Sequence, residues 1–157
     1  MAVAEVEPAL TPVLTYTVDA GRAGPEMSIG WTRQAELRFD TGVELSDDLF
    51  GPADLLGAAF AACLLKNIER FSHTLPFRLE GASVHVTLER EDRPPRIARI
   101  RYELRLVTDE PPRRVELLER NLVRFGTIYN TLLRACEVSG EIVVELLEAG
   151  PPRAAGA

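Results

Sequence analysis

The stretch GPADLLGAAFAACLLKNIERF, residues 51–71, reads as the strongest helix of the chain. Pro52 stands near the first helical position, where its missing N–H is not needed, and Asp54 puts a carboxylate in the first turn, where the helix dipole favours it. Pro76 keeps the helix from running much further. Its first half is apolar all round, which predicts a central, buried helix, and its second half turns amphipathic.

On either side of this helix the pattern is that of strands. Residues 13–18 are β-branched and aromatic, and 27–31 and 35–40 follow after a turn at 21–25. Downstream, Ala82, Val84, Val86 and Leu88 alternate with Ser83, His85, Thr87 and Glu89. After the charged turn 91–95, Ile100, Tyr102, Leu104 and Leu106 alternate with Arg99, Arg101, Glu103 and Arg105. Each strand therefore has one core face and one wet face, as in an antiparallel sheet covered by helices on one side. A second helical region is expected over 113–137, divided by Gly126, and a last strand over 141–147, after Gly140. The order β-β-β-α-β-β-α-β is an α+β fold, not a doubly wound α/β one.

With 157 residues the chain suffices for one compact domain, predicted over 12–148, with disordered tails at 1–11 and 149–157. The net charge of −6 argues against phosphate-backbone binding, so no nucleic-acid partner is expected. No apolar run approaches the ~18–20 residues of a membrane span, so no membrane partner is expected either. The first residues hold Glu5 and Glu7 and no basic segment, unlike a secretory leader, which points to the cytoplasm. Two cysteines in a reducing compartment are functional or buried, not a structural disulfide.

Cys63 lies mid-helix among alanines and leucines, and two readings apply to it. In the first it is a small core hydrophobe, since apolar burial leaves a thiol protonated and inert. In the second it is a nucleophile, because Lys66 and Asn67 follow at i+3 and i+4 on the same face, with Arg70 at i+7. A cation there favours the thiolate; the helix dipole is the weaker influence, because Cys63 stands about three turns in. Lys66, the only lysine, equally fits a solvated side chain that snorkels to water. Cys136, near the end of the second helical region, is again either a packed residue or a second redox thiol. No zinc-ligand spacing, CxxC or HExxH occurs, and no glycine loop would cradle a phosphate, so no cofactor or metal is expected. The aspartates at 40, 47, 48 and 54 fit caps and turns, and the row Arg99, Arg101, Arg105 fits the solvated face of a strand.

Residues 51–63, with a proline-containing start leading through leucine and alanine to a cysteine, resemble the helix signature of the OsmC/Ohr family. Cys136-Glu-Val-Ser139 before a short strand resembles that family's second cysteine motif, with Glu137 where proline is common. The resemblance extends over about 13–147. It implies an intertwined homodimer of two long central helices wrapped by sheets, with active sites at the dimer interface. It also implies reduction of hydroperoxides, organic ones preferentially, at Cys63 with Cys136 resolving, and a thiol reductant to restore both. An arginine that holds the thiolate is implied too: Arg38, with Arg22 and Arg33 as the other candidates; Lys66 is the alternative activator from the helix itself. The glutamate that orients this arginine in the family is replaced by Ala53, with the shorter Asp54 beside it. That departure keeps a non-catalytic stress or small-molecule-binding protein in view. A cysteine hydrolase or acyl-transfer enzyme is a third reading, for which neither His73 nor His85 is recognisably placed as a base.

Overall fold

A computed structural model describes residues 13–146, so the segments 1–11 and 149–157 read as tails lie outside the described residues. The chain divides into two compact units, one ending at Gly51 and one beginning at Pro52.

The first unit holds β1 (Asp19–Arg22), β2 (Met27–Thr32) and β3 (Ala35–Asp40) in an antiparallel sheet of that order. The strand expected at 13–18 does not form. That run joins no sheet, and Val13, Leu14, Tyr16 and Val18 are largely exposed. The pairing falls instead on Asp19–Arg22, where Gly21 meets Ile29 and lets the Trp31 ring pass 3.4 Å from where a Cβ would sit. Register with a partner, not β-propensity, decides the strand here. Asp40 is buried, and its carboxylate accepts N–H bonds from Gly42 (2.7 Å) and Ser46 (3.1 Å), fixing the loop that follows.

The second unit starts with α1 (Pro52–Thr74), then β4 (Gly81–Asp92), β5 (Pro95–Val107), α2 (Pro112–Phe125), α3 (Thr127–Leu132) and β6 (Glu137–Glu145). Strands β4 and β5 pair antiparallel, and β6 joins β5 in parallel through the helical crossover. Ile100, Tyr102, Leu104 and Leu106 face inward, together with Phe60, Leu64, Ile68 and Phe71 of α1 and Val115, Leu118 and Leu122 of α2. Each fully buried Leu, Ile or Phe contributes about 1.5–3 kcal/mol. On the outer face, Arg99 bridges Glu89 and Glu137, Arg101 meets Glu89 at 2.6 Å, and Arg105 meets Glu103 and Glu145 at 2.6 and 3.1 Å. The arginine row is the ion-paired outer face of the sheet.

Three expectations for this unit change. The second helical region divides at Gly126 as expected, but it ends at Leu132, short of 137, so Cys136 lies in the turn before β6. The last strand begins at Glu137, four residues before the expected start, because Gly140 does not interrupt it. Gly140 pairs with Tyr102, whose ring lies across it: a Cβ there would come within 2.4 Å of ring carbon. Finally, α1 is not buried all round within the single chain. Gly57, Phe60, Leu64, Asn67, Ile68 and Phe71 form one buried stripe, while Ala58, Ala59 and Ala62 are exposed, because sheet and helices cover one side.

Candidate functional site

Cys63 sits in the middle of α1, half-buried and unoxidised. Its position beside Phe60 and Leu64 in the helical pattern turns it toward the α2–α3 junction. There Gly126 is buried, and a Cβ on it would stand 3.5 Å from the Cys63 sulfur. The same Cβ would press to 2.8 Å on both the Leu122 carbonyl oxygen and Tyr129 Cβ. The backbone of Gly126 is ordinary, with φ −74°. Space, not conformational freedom, is what demands glycine at this position.

One turn beyond Cys63, Asn67 is buried, and its side-chain amide turns back along the helix. Nδ2 donates to the Cys63 carbonyl oxygen at 2.9 Å and lies 3.7 Å from the Cys63 sulfur. Lys66 is exposed, which agrees with the snorkelling alternative. Arg70 lies over the rings of Phe71 and Phe125, at 5.3 and 5.6 Å from their centroids, and Arg124 lies over Phe125 at 5.2 Å. Below the thiol, Phe60 stacks on Tyr129 at 5.6 Å and tilts against Tyr102 at 5.6 Å. Burial, and secondarily the neighbouring Tyr129, pushes the Tyr102 hydroxyl well above its usual range.

Cys136 is the other free thiol, half-buried against the core in the turn after α3. Its S–H donates to the Leu132 carbonyl oxygen at 3.4 Å. Burial pushes this thiol up, with Arg96 pulling weakly the other way. The two cysteines thus contact opposite ends of one short helix, Cys63 at Gly126 before its first residue and Cys136 at Leu132, its last. Six residues of α-helix span about 9 Å.

The arginine candidates belong to the first unit: Arg22 closes β1, Arg33 occupies the β2–β3 turn with φ 54°, and Arg38 lies on β3 opposite Ile29. All three are exposed. Ala53 and Asp54 form the exposed first turn of α1. His73 is ten residues past Cys63 on α1, about 15 Å along the axis, and bonds Glu69 at 2.8 Å. His85 lies on the exposed face of β4, near Thr87. Neither histidine has a bond to Cys63 among the described residues. Among the described residues no group of three His, Cys, Asp or Glu side chains could hold a metal ion, and no helix is long and apolar enough to cross a membrane. Gly126 had been legible only as a break between helices; that it seats the thiol is a tertiary fact.

The family model "OsmC-like protein" matches residues 45–141, more than half of the chain. An OsmC-like protein from Mycoplasma pneumoniae is 16% identical, covering 86% of this chain and 99% of that one, with a TM-score of 0.74. The organic hydroperoxide resistance protein OhrB of Bacillus subtilis is 16% identical, covering 83% and 98%, with a TM-score of 0.60. An organic hydroperoxide resistance protein OsmC from Legionella pneumophila, described as a predicted redox protein, is 15% identical over 85% and 100%, with a TM-score of 0.61. At such identities the likeness is one of fold. No curated protein matches the sequence.

Proposed function

The chain belongs to the OsmC-like protein family, and from that premise we propose that it is a thiol-dependent peroxidase for organic hydroperoxides. Cys63 is the peroxidatic nucleophile and Cys136 the resolving thiol. The observation that carries this reading is the pair of free thiols set against the two ends of α3. The hydroperoxide-resistance and redox descriptions of structural relatives support it.

The Cys63 thiolate attacks the terminal oxygen of the hydroperoxide, the O–O bond breaks, and the alkoxide takes a proton to leave as alcohol. Cys63 is then a sulfenic acid. The Cys136 sulfur attacks that sulfur and water leaves, giving a disulfide. An external thiol reductant returns both cysteines by exchange. The disulfide needs the Cα atoms of Cys63 and Cys136 within about 7 Å of each other. The 133–136 turn is held to α3 by the Cys136 S–H and by the Arg134, Ala135 and Cys136 N–H groups, which donate to the Thr131 and Leu132 carbonyl oxygens.

Arg38 is the cation assigned to the thiolate, with Arg22 and Arg33 as the alternatives to be separated by substitution. The exposed Ala58, Ala59 and Ala62 of α1 favour a homodimer in which a second copy covers this face. The setting is cytoplasmic, with a hydroperoxide as substrate, a thiol reductant and a second copy of the chain as partners. Ala53, lacking a carboxylate in the first turn of α1, favours a second reading: a non-catalytic member that binds a small molecule. Peroxide consumption by reduced protein with tert-butyl hydroperoxide separates the two. Turnover lost in Cys63→Ser supports the peroxidase; a wild type that leaves peroxide untouched supports the binder.

A further inference from the structure

Asn67 occupies a position that the helix pattern reserves for an apolar side chain. It is 8% exposed and belongs to the stripe of Phe60, Leu64, Ile68 and Phe71. Asparagine is also a poor residue for a helix interior, because its side chain competes for backbone groups. Here it does so: one amide N–H goes to the Cys63 carbonyl oxygen at 2.9 Å. A carboxamide has two N–H donors, and Nδ2 lies 3.7 Å from the Cys63 sulfur, an ordinary separation for a bond to an atom of that size. A thiol is a weak acceptor and a thiolate a strong one, so a fixed donor at this place favours the ionised sulfur.

We propose that Asn67 is a donor to the Cys63 thiolate, a neutral group within the same helix that selects the ionised nucleophile. The proposal rests on the reading of Cys63 as the nucleophile and adds how this chain activates it. The carbonyl bond holds the amide so that its second N–H is committed to sulfur before any substrate arrives, and burial keeps water from replacing it. The charged and titratable groups around the thiol are few. On its own helix Lys66 and Arg70 follow, Lys66 exposed and Arg70 engaged with the rings of Phe71 and Phe125. From the α2–α3 side come Tyr129, stacked on Phe60, and Arg124, over Phe125. Of these groups, only Asn67 has a bond to the sulfur among the described residues.

The test uses the full chain with Cys136→Ser, so that Cys63 is the one thiol, and follows its alkylation by iodoacetamide from pH 6 to 10. Asn67→Leu keeps the size and suits the apolar stripe; Asn67→Asp keeps the shape and replaces the donor by a carboxylate. Alkylation at neutral pH should slow roughly three- to tenfold in Asn67→Leu, with the profile displaced to higher pH. Asn67→Asp should displace it further, while Asn67→Gln, which keeps the donor, restores part of the rate. Superimposable profiles in folded Asn67→Leu and the parent would overturn the proposal. Should the variants fail to fold, the parent still decides the matter by NMR. One Asn67 side-chain amide proton must move with the same pH midpoint as alkylation, and a pH-invariant resonance is the contrary result. None of these readouts requires peroxide, so a protein inert to hydroperoxides would sink the peroxidase reading and leave this one standing.

Discussion

Gly126 faces Cys63: a methyl group on that glycine would rest at an ordinary contact distance, 3.5 Å, from the Cys63 sulfur, while pressing to 2.8 Å on the Leu122 carbonyl oxygen. The helix break and the thiol are thus one feature. Gly126→Ala should destabilise the protein by about 1–3 kcal/mol through overpacking, since backbone must shift to admit it. It should also change the alkylation rate of Cys63, which a substitution in an unrelated part of the core would not do. Thermal unfolding and iodoacetamide kinetics on the same samples check both.

Gly140 and Tyr102 make a second such pair. The ring lies across the glycine in β6, so Gly140→Ala should cost about 1–3 kcal/mol, and Gly140→Val more. The penalty belongs to the ring. Gly140→Ala should therefore cost less in a Tyr102→Leu background, and the double-mutant cycle measures the coupling. Additive effects would mean that the glycine serves β6 in some other way.

Burial keeps Cys136 protonated at neutral pH, which sets the pH dependence of the resolving step. Condensation with a Cys63 sulfenic acid needs the Cys136 thiolate, so disulfide formation should accelerate roughly tenfold per pH unit until that thiol ionises. Arg96 pulls the thiol the other way, so Arg96→Ala should slow the step slightly at any fixed pH below that point. The sign for stability follows from the same shift. A thiol raised on folding stabilises the native state below its unfolded value of about 8.5, and that contribution is lost as pH climbs through the folded value. Quenched-flow trapping of the Cys63–Cys136 disulfide and urea unfolding between pH 7 and 10 report the two effects.

The apolar outer face of α1 predicts association. Ala62→Glu places a carboxylate among Ala58 and Ala59 on the exposed side of the helix, where it costs a single chain little. If a second copy covers this face, the variant should sediment as a monomer while the wild type sediments as a dimer. An unchanged sedimentation coefficient would remove α1 from the interface.

Much of this was legible before the structure. Proline, aspartate and the following apolar run gave α1 its start, and period-two alternation gave the core faces of β4 and β5 through Leu88 and Leu106. The failures share a cause. Residues 13–18 have the composition of a strand, but Asp19–Arg22 has the partner. Gly140 resembles a break unless one knows that Tyr102 lies over it. Long-range contacts leave no local trace. Asn67 was visible as a neighbour of Cys63 at i+4, yet its burial and its two-pronged amide were not.

The most direct test is mass spectrometry of the reduced protein after one equivalent of tert-butyl hydroperoxide. The expected product is an intramolecular Cys63–Cys136 disulfide, with Cys136→Ser instead gaining one oxygen at Cys63 that a sulfenic-acid reagent traps. Unmodified thiols with the peroxide unconsumed, or oxygen added first at Cys136, would contradict the assignment of Cys63 as the nucleophile.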